Sequence, residues 1–189
     1  YSRQGYGQSD NRPDVRGEHR TVNGMAHGRL QPDYMHHEAL VVLPELLRQL
    51  GIARPILLGH SDGGTIALLH AAQHPVSACI VMAPHVLVED ISVRAIEAAR
   101  EAFEAGPLRT RLAAFHADVD GAFWQWNDVW LSEAFRGYDI RAEIAAIALA
   151  DAGHEKGHRP LLLRGHREIG AGGENHYRTR NQQYFVAVR

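Results

Sequence analysis

A serine flanked by glycines lies between two apolar runs in the first half of this 189-residue chain. Gly59, Ser61 and Gly63 fit the pattern G-x-S-x-G. Small residues two positions before and two after the serine let a strand and a helix approach closely, so that the serine sits on a strained turn with its hydroxyl exposed. A serine presented in this way, on a nucleophile elbow, is typical of a group that attacks acyl carbon.

The runs on either side of the serine predict the strand and the helix that such a turn requires. Residues 56–58 are apolar without alternation, which is typical of a strand covered on both faces in a parallel sheet. Apolar residues in 66–69 are spaced like one side of a helix, and residues 76–83 form a second apolar strand. Strand, helix and strand with short links predict a parallel pair. We therefore expect an α/β fold, a mostly parallel sheet flanked by helices.

The segment 89–147 differs from its surroundings, because it holds three or four helical patterns without an intervening strand. A helical insertion between strands predicts a lid over the strand ends, where ligands of parallel sheets bind. The core then comprises residues 1–88 and 148–189. Aromatic residues within 123–130 either line a substrate pocket or pack the helices. Residues 1–33 show neither the helical nor the alternating periodicity of apolar residues, and they are predicted to be a loop.

Composition narrows the class of partner. The net charge is −2 and there is no basic stripe, which argues against nucleic acid or an anionic membrane. No apolar run approaches the roughly 20 residues that span a bilayer. The single cysteine, Cys79, lies in an apolar stretch and is predicted to be a core residue. We expect a small-molecule substrate, no metal or other cofactor and a cytoplasmic location; the oligomeric state stays open.

Four segments together resemble the α/β-hydrolase superfamily, in particular its bacterial members with a helical lid: residues 1–7, 59–64, 83–85 and 117–131. The resemblance runs from Tyr1 to about Ile147. It implies a serine hydrolase of the esterase type that cleaves an ester, lactone, thioester or activated C–C bond with a Ser-His-Asp triad. By this resemblance Ser61 is the nucleophile, and the backbone N–H of Asp62 donates to the oxyanion.

Both ends of the chain depart from that family. The chain starts at Tyr1 without an initiator methionine or signal peptide and lacks the loop that carries a second oxyanion donor, so we expect truncation at the N-terminus. The residues after Ile147 predict truncation or alteration at the C-terminus. Glu168, three residues after Gly165, stands at the position of the family's acid; it is either that acid or an ordinary loop glutamate. His176 follows too soon for the helix and strand that separate acid from base.

The lack of a clear base has an energetic consequence. A serine hydroxyl is a poor nucleophile without a base, and loss of the triad histidine costs about a million-fold in turnover. We therefore expect a hydrolase fold whose activity in this chain is weak or absent. One alternative is a catalytically inactive hydrolase fold that binds a small acyl ligand.

A second alternative is a zinc hydrolase, because His154, Glu155 and His158 fit the pattern H-E-x-x-H. That pattern places two imidazoles on one face of a helix, with the glutamate beside the metal-bound water. Two glycines and a closely following proline disfavour a helix here, and no third ligand follows at a suitable spacing.

Overall fold

The computed structural model describes residues 2–152 and 186–188. In chain order the elements are β1 Arg20–Val22, β2 Met25–His27, α1 Tyr34–His37, a π-helical turn Glu38–Val42, α2 Leu43–Gln49, β3 Ile56–His60, α3 Asp62–Gln73, β4 Ala78–Met82, α4 Asp90–Ala105, α5 Leu108–Leu112, α6 Val119–Trp130, a 3-10 turn Glu133–Gly137, α7 Arg141–Ala152 and β5 Val186–Val188.

These elements belong to two compact units. The first comprises Tyr1–Tyr34 and Leu87–Tyr138, and the second comprises Met35–Val86 and Asp139–Arg189. The predicted division into a core of residues 1–88 and 148–189 and a lid of residues 89–147 stays a prediction.

The second unit contains a three-stranded sheet in the order β3-β4-β5. β3 and β4 are parallel, with a register from Ile56 opposite Ala78 to His60 opposite Met82. The parallel pair predicted from the sequence is therefore confirmed. β5 runs antiparallel along the other edge of β4, and the polar composition of the tail did not predict it.

One face of this sheet packs against helices. The register places Leu57 opposite Cys79, so both side chains point to the same face. On that face α3, α7 and β4 form a buried apolar cluster of Ala67, Leu68, Cys79, Val81 and Ile147. Ile56 and Leu58 point to the opposite face and are 70 % and 69 % exposed. The prediction that β3 is covered on both faces is thus wrong for these two residues, because the described apolar cluster packs against the face of β3 that carries Leu57.

The segment before β3 is helical from Tyr34 to Gln49. Gly51 follows with φ 68, a left-handed conformation that suits the glycine after a helix end. Within the π-helical turn, the carbonyl oxygen of Ala39 lies 2.9 Å from Nδ1 of His70 on α3. Burial lowers the pKa of His70, and the adjacent His74 adds to this direction. This contact ties the two helical segments of the unit together.

The first unit begins with a hairpin rather than an unbroken loop. β1 and β2 pair in antiparallel register through a two-residue turn at Asn23 and Gly24, whose φ angles are 51 and 79. Positive φ angles at both central residues are typical of the type I′ turn, whose twist matches that of the two strands of a hairpin. The pair Asn-Gly favours this turn. The prediction of a loop over residues 1–33 is therefore wrong for the strands, because strands of three residues are too short to show a periodicity.

Helices α4 to α6 carry an aromatic core within the first unit. The rings of Phe103 and Phe123 stack with centroids 3.8 Å apart, and Trp130 packs against Phe135. The Asp118 carboxylate caps α6 by accepting a hydrogen bond of 2.8 Å from the N–H of Gly121. Phe123 and Trp130 are 4 % and 0 % exposed. Their burial supports the prediction that these two aromatic residues pack the helices rather than line a substrate pocket.

Candidate active site

Ser61 occupies a sharp turn between β3 and α3. β3 ends at His60 and α3 begins at Asp62, so this single residue makes the connection. Its backbone has φ 54 and ψ −125, outside the regions that most residues with a side chain adopt. The N–H of Ser61 donates to the carbonyl of Met82 at 2.9 Å, and its own carbonyl accepts from Gly64 at 2.9 Å. The hydrogen bonds on both sides hold the serine in this conformation.

Glycine is required on the strand side of the turn. A Cβ on Gly59 would lie 2.2 Å from the carbonyl oxygen of Gly63, a distance that no folded protein accepts. On the helix side the close residue is Gly64, whose Cβ would lie 3.3 Å from Pro84. A Cβ on Gly63 would meet no atom within 4 Å. The interpretation that a small residue at 63 makes room for the strand is therefore wrong, because a Cβ on Gly59 would meet the backbone carbonyl of Gly63 and the backbone nitrogen of Gly64, whereas the side-chain position of residue 63 is open.

The hydroxyl of Ser61 contacts an imidazole. Its Oγ lies 3.0 Å from Nε2 of His85, within hydrogen-bond distance, and both residues are partly exposed to solvent. His85 lies three residues beyond the end of β4. Because β3 and β4 are adjacent and parallel, their carboxyl ends meet at one edge of the sheet, where the serine and the histidine converge.

The backbone of His85 is held by α3. The hydroxyl of Thr65 accepts from the N–H of His85 at 2.9 Å and donates to the carbonyl of His85 at 2.9 Å. Thr65 is fully buried, and its own N–H donates to the carbonyl of Ser61 at 3.1 Å. Between β4 and His85 the chain turns through Ala83, with φ 46, and Pro84. The serine and the histidine are thus both fixed to the first turn of α3.

Asp62 is the first residue of α3 and its side chain is buried, with 7 % of the residue exposed. N–H groups in the first turn of a helix point out along its axis and carry the positive end of the helix dipole. The backbone N–H of Asp62 therefore lies at the end of the helix that favours a developing negative charge. Its role as an oxyanion donor stays a prediction.

The other predicted site residues lie outside the described part of the chain. They are Glu168, the candidate acid, and the zinc-motif residues His154, Glu155 and His158. His176, which follows Glu168 too soon to be the base, also lies outside the described residues. Among residues 2–152 and 186–188, no group of three or more His, Cys, Asp or Glu side chains could hold a metal ion.

A surface cleft of about 440 Å³ lies in the second unit, away from the serine. It is lined by the far end of α3, at His70 and His74, and by Arg48 of α2. Neither Ser61 nor His85 lines it.

Sequence reasoning missed His85. Residues 83–85 contribute only to the family resemblance, which implies no role for the histidine. Its position just after a strand predicted to run parallel to the serine's strand indicates the same edge of the sheet, but not a contact with Ser61.

Comparison with family models identifies the class of protein. The model described as the alpha/beta hydrolase family matches residues 1–181. The chain therefore belongs to the α/β-hydrolase family, as its sequence motifs predict. Searches of curated proteins and of solved structures gave no significant match. The coarse function that follows from the family is that of a hydrolase. Within the part of the chain that the structure describes, no helix is long enough and apolar enough to cross a membrane.

Proposed function

We propose that the protein is a serine hydrolase that cleaves an ester, lactone, thioester or activated C–C bond of a small molecule through an acyl-enzyme on Ser61. The observation that carries this proposal is the backbone of Ser61, at φ 54 and ψ −125 between a strand and a helix. Such a conformation costs on the order of 1–3 kcal/mol and persists where the surrounding structure enforces it. Here the conformation is enforced by the hydrogen bonds of Ser61 to Met82 and Gly64. The close approach of β3 to α3 at Gly59 constrains it further.

The proposed chemistry uses the position of the turn. The Ser61 hydroxyl attacks the acyl carbon, the carbonyl oxygen becomes an oxyanion, and the N–H of Asp62 at the start of α3 donates to it. The leaving group departs, and water then hydrolyses the acyl-enzyme. A small acyl substrate is consistent with a partly exposed serine at the edge of the sheet. The predicted covering of this edge by residues 89–147 is part of the proposal.

Hydrolysis of p-nitrophenyl acetate by the purified full chain tests the proposal. We expect a weak release of p-nitrophenol that exceeds the background rate and that Ser61→Ala abolishes. Ser77→Ala is the matched control, because the exposed Ser77 hydroxyl donates to the carbonyl of Arg54 in the same unit and takes no part in the turn. Equal rates for the wild type and Ser61→Ala would contradict the proposal. Ligand-induced thermal stabilisation without turnover would instead support an acyl-binding protein.

A further inference from the structure

We propose that His85 is the general base that activates Ser61, so that the nucleophile and the base form a Ser–His dyad. This inference rests on the proposed function, since it requires Ser61 to be the nucleophile. It assigns the role of base to a histidine that follows the neighbouring strand, whereas the family's pattern carries the base near the C-terminus.

The geometry of the pair meets the first requirement for a general base. The distance of 3.0 Å between Ser61 Oγ and His85 Nε2 lies within the 2.6–3.2 Å over which a base can take a proton directly. Neither residue is fully buried, which a pair that must meet substrate and water requires.

The pair is also held in place by the hydrogen bonds that both residues make with Thr65. Thr65 bonds through its N–H to the carbonyl of Ser61 and through its hydroxyl to both backbone groups of His85. The contact between Ser61 and His85 closes this three-residue ring. Catalytic groups positioned by buried hydrogen bonds on a helix hold their geometry better than groups on a loop. Thr65 is therefore the positioning residue of the dyad.

The proposed step is balanced in protons and bonds. With Nε2 unprotonated and Nδ1 carrying the hydrogen, His85 takes the proton of the Ser61 hydroxyl while a bond forms between Oγ and the acyl carbon. The resulting imidazolium returns that proton to the leaving oxygen as the bond from the acyl carbon to that oxygen breaks. In deacylation His85 takes a proton from water, and Ser61 recovers it when the ester to the enzyme is cleaved.

The rate at which a fluorophosphonate probe labels Ser61 of the full chain tests this assignment. We expect His85→Ala to lower the labelling rate by about 100-fold or more, as befits the loss of a general base. Added imidazole should restore part of the rate to His85→Ala, because a small base can enter the space left by the side chain. A merely structural role of His85 would show no such rescue. His85→Gln is the second variant, measured alongside with far-UV circular dichroism to show that each protein is folded.

His176→Ala is the matched control, because His176 is the histidine that follows Glu168 in the chain. We expect it to label within about twofold of the wild type, since the dyad does not involve it. Folded His85 variants that label at the wild-type rate, or loss of labelling in His176→Ala, would overturn the assignment and leave Ser61 as the nucleophile. Absence of labelling that depends on Ser61 in the wild type would instead overturn the proposed function, and this inference with it.

Discussion

Thr65 and His85 are joined by two hydrogen bonds through a single hydroxyl. The Thr65 oxygen accepts from the N–H of His85 and donates to its carbonyl, each at 2.9 Å, and Thr65 is fully buried. Because Thr65 lies one helical turn after Ser61, this hydroxyl determines where the segment after β4 meets the start of α3.

Replacement of that hydroxyl should therefore affect both stability and reactivity. We expect Thr65→Val, which keeps the shape of the side chain, to lower the free energy of unfolding by about 1–3 kcal/mol, since it removes the partner of two backbone groups. Labelling of Ser61 by a fluorophosphonate should slow by about 10-fold to 100-fold as His85 shifts. Thr65→Ser keeps the hydroxyl and should retain most of the labelling rate. Equal labelling by Thr65→Val and the wild type would show that Thr65 does not position His85.

The two glycines of the serine motif should respond differently to alanine. Gly59→Ala forces a Cβ to within 2.2 Å of backbone oxygen, so we expect a loss of about 2 kcal/mol or more in the free energy of unfolding, or no folded protein. Gly63→Ala places its Cβ in open space within α3 and should change stability by at most about 1 kcal/mol, in the stabilising direction. Urea titration followed by circular dichroism measures both. Comparable destabilisation by the two substitutions would contradict the observed packing.

The cap of α6 offers a prediction for the first unit. Asp118→Ala removes the carboxylate that accepts from the N–H of Gly121, so we expect a loss of about 1 kcal/mol in unfolding free energy. Glu89→Ala is the control, because Glu89 precedes α4 without a side-chain capping bond. It should change stability by no more than about 0.5 kcal/mol. Urea unfolding followed through the tryptophan fluorescence of α6 reports on the first unit. A larger effect at Glu89 than at Asp118 would refute this prediction.

Cys79 should be unreactive in the folded protein. It is completely buried, and burial raises the pKa of its thiol to about 11. At pH 8 a thiol reagent such as iodoacetamide should modify it only after denaturant is added, because the thiolate is the reacting form. The chain has one cysteine, so the mass that the reagent adds, measured by mass spectrometry, reports on this site alone. Rapid modification without denaturant would contradict the buried position.

The same shift predicts the direction of a pH effect on stability. The folded state binds the thiol proton more tightly than the unfolded state does, so its contribution is fully present below the ordinary thiol pKa. That contribution is lost as the pH rises towards about 11. Cys79→Ser offers the comparison, since it lacks this titration and should lose less stability over that range.

The local elements of the second unit could be read directly from the sequence. The apolar runs before and after Gly59 and the strand at 76–83 have periodicities set by the backbone, and the parallel pair β3 and β4 follows from their order. The hairpin in the first unit was missed because its strands are three residues long, although Asn23 and Gly24 carried its turn signal. The exposure of Ile56 and Leu58 was missed because an apolar run does not reveal which of its two faces another element covers.

The sequence by itself determined the family, the strand-turn-helix segment and the serine at its apex, because each depends on residues close together in the chain. Tertiary structure alone decided what faces that serine. Ser61 and His85 are 24 positions apart, and they meet because parallel pairing brings the ends of β3 and β4 to one edge and the Thr65 hydroxyl holds the segment that follows β4. A contact of this kind depends on register and on a buried hydrogen bond, and neither has a local pattern in the sequence.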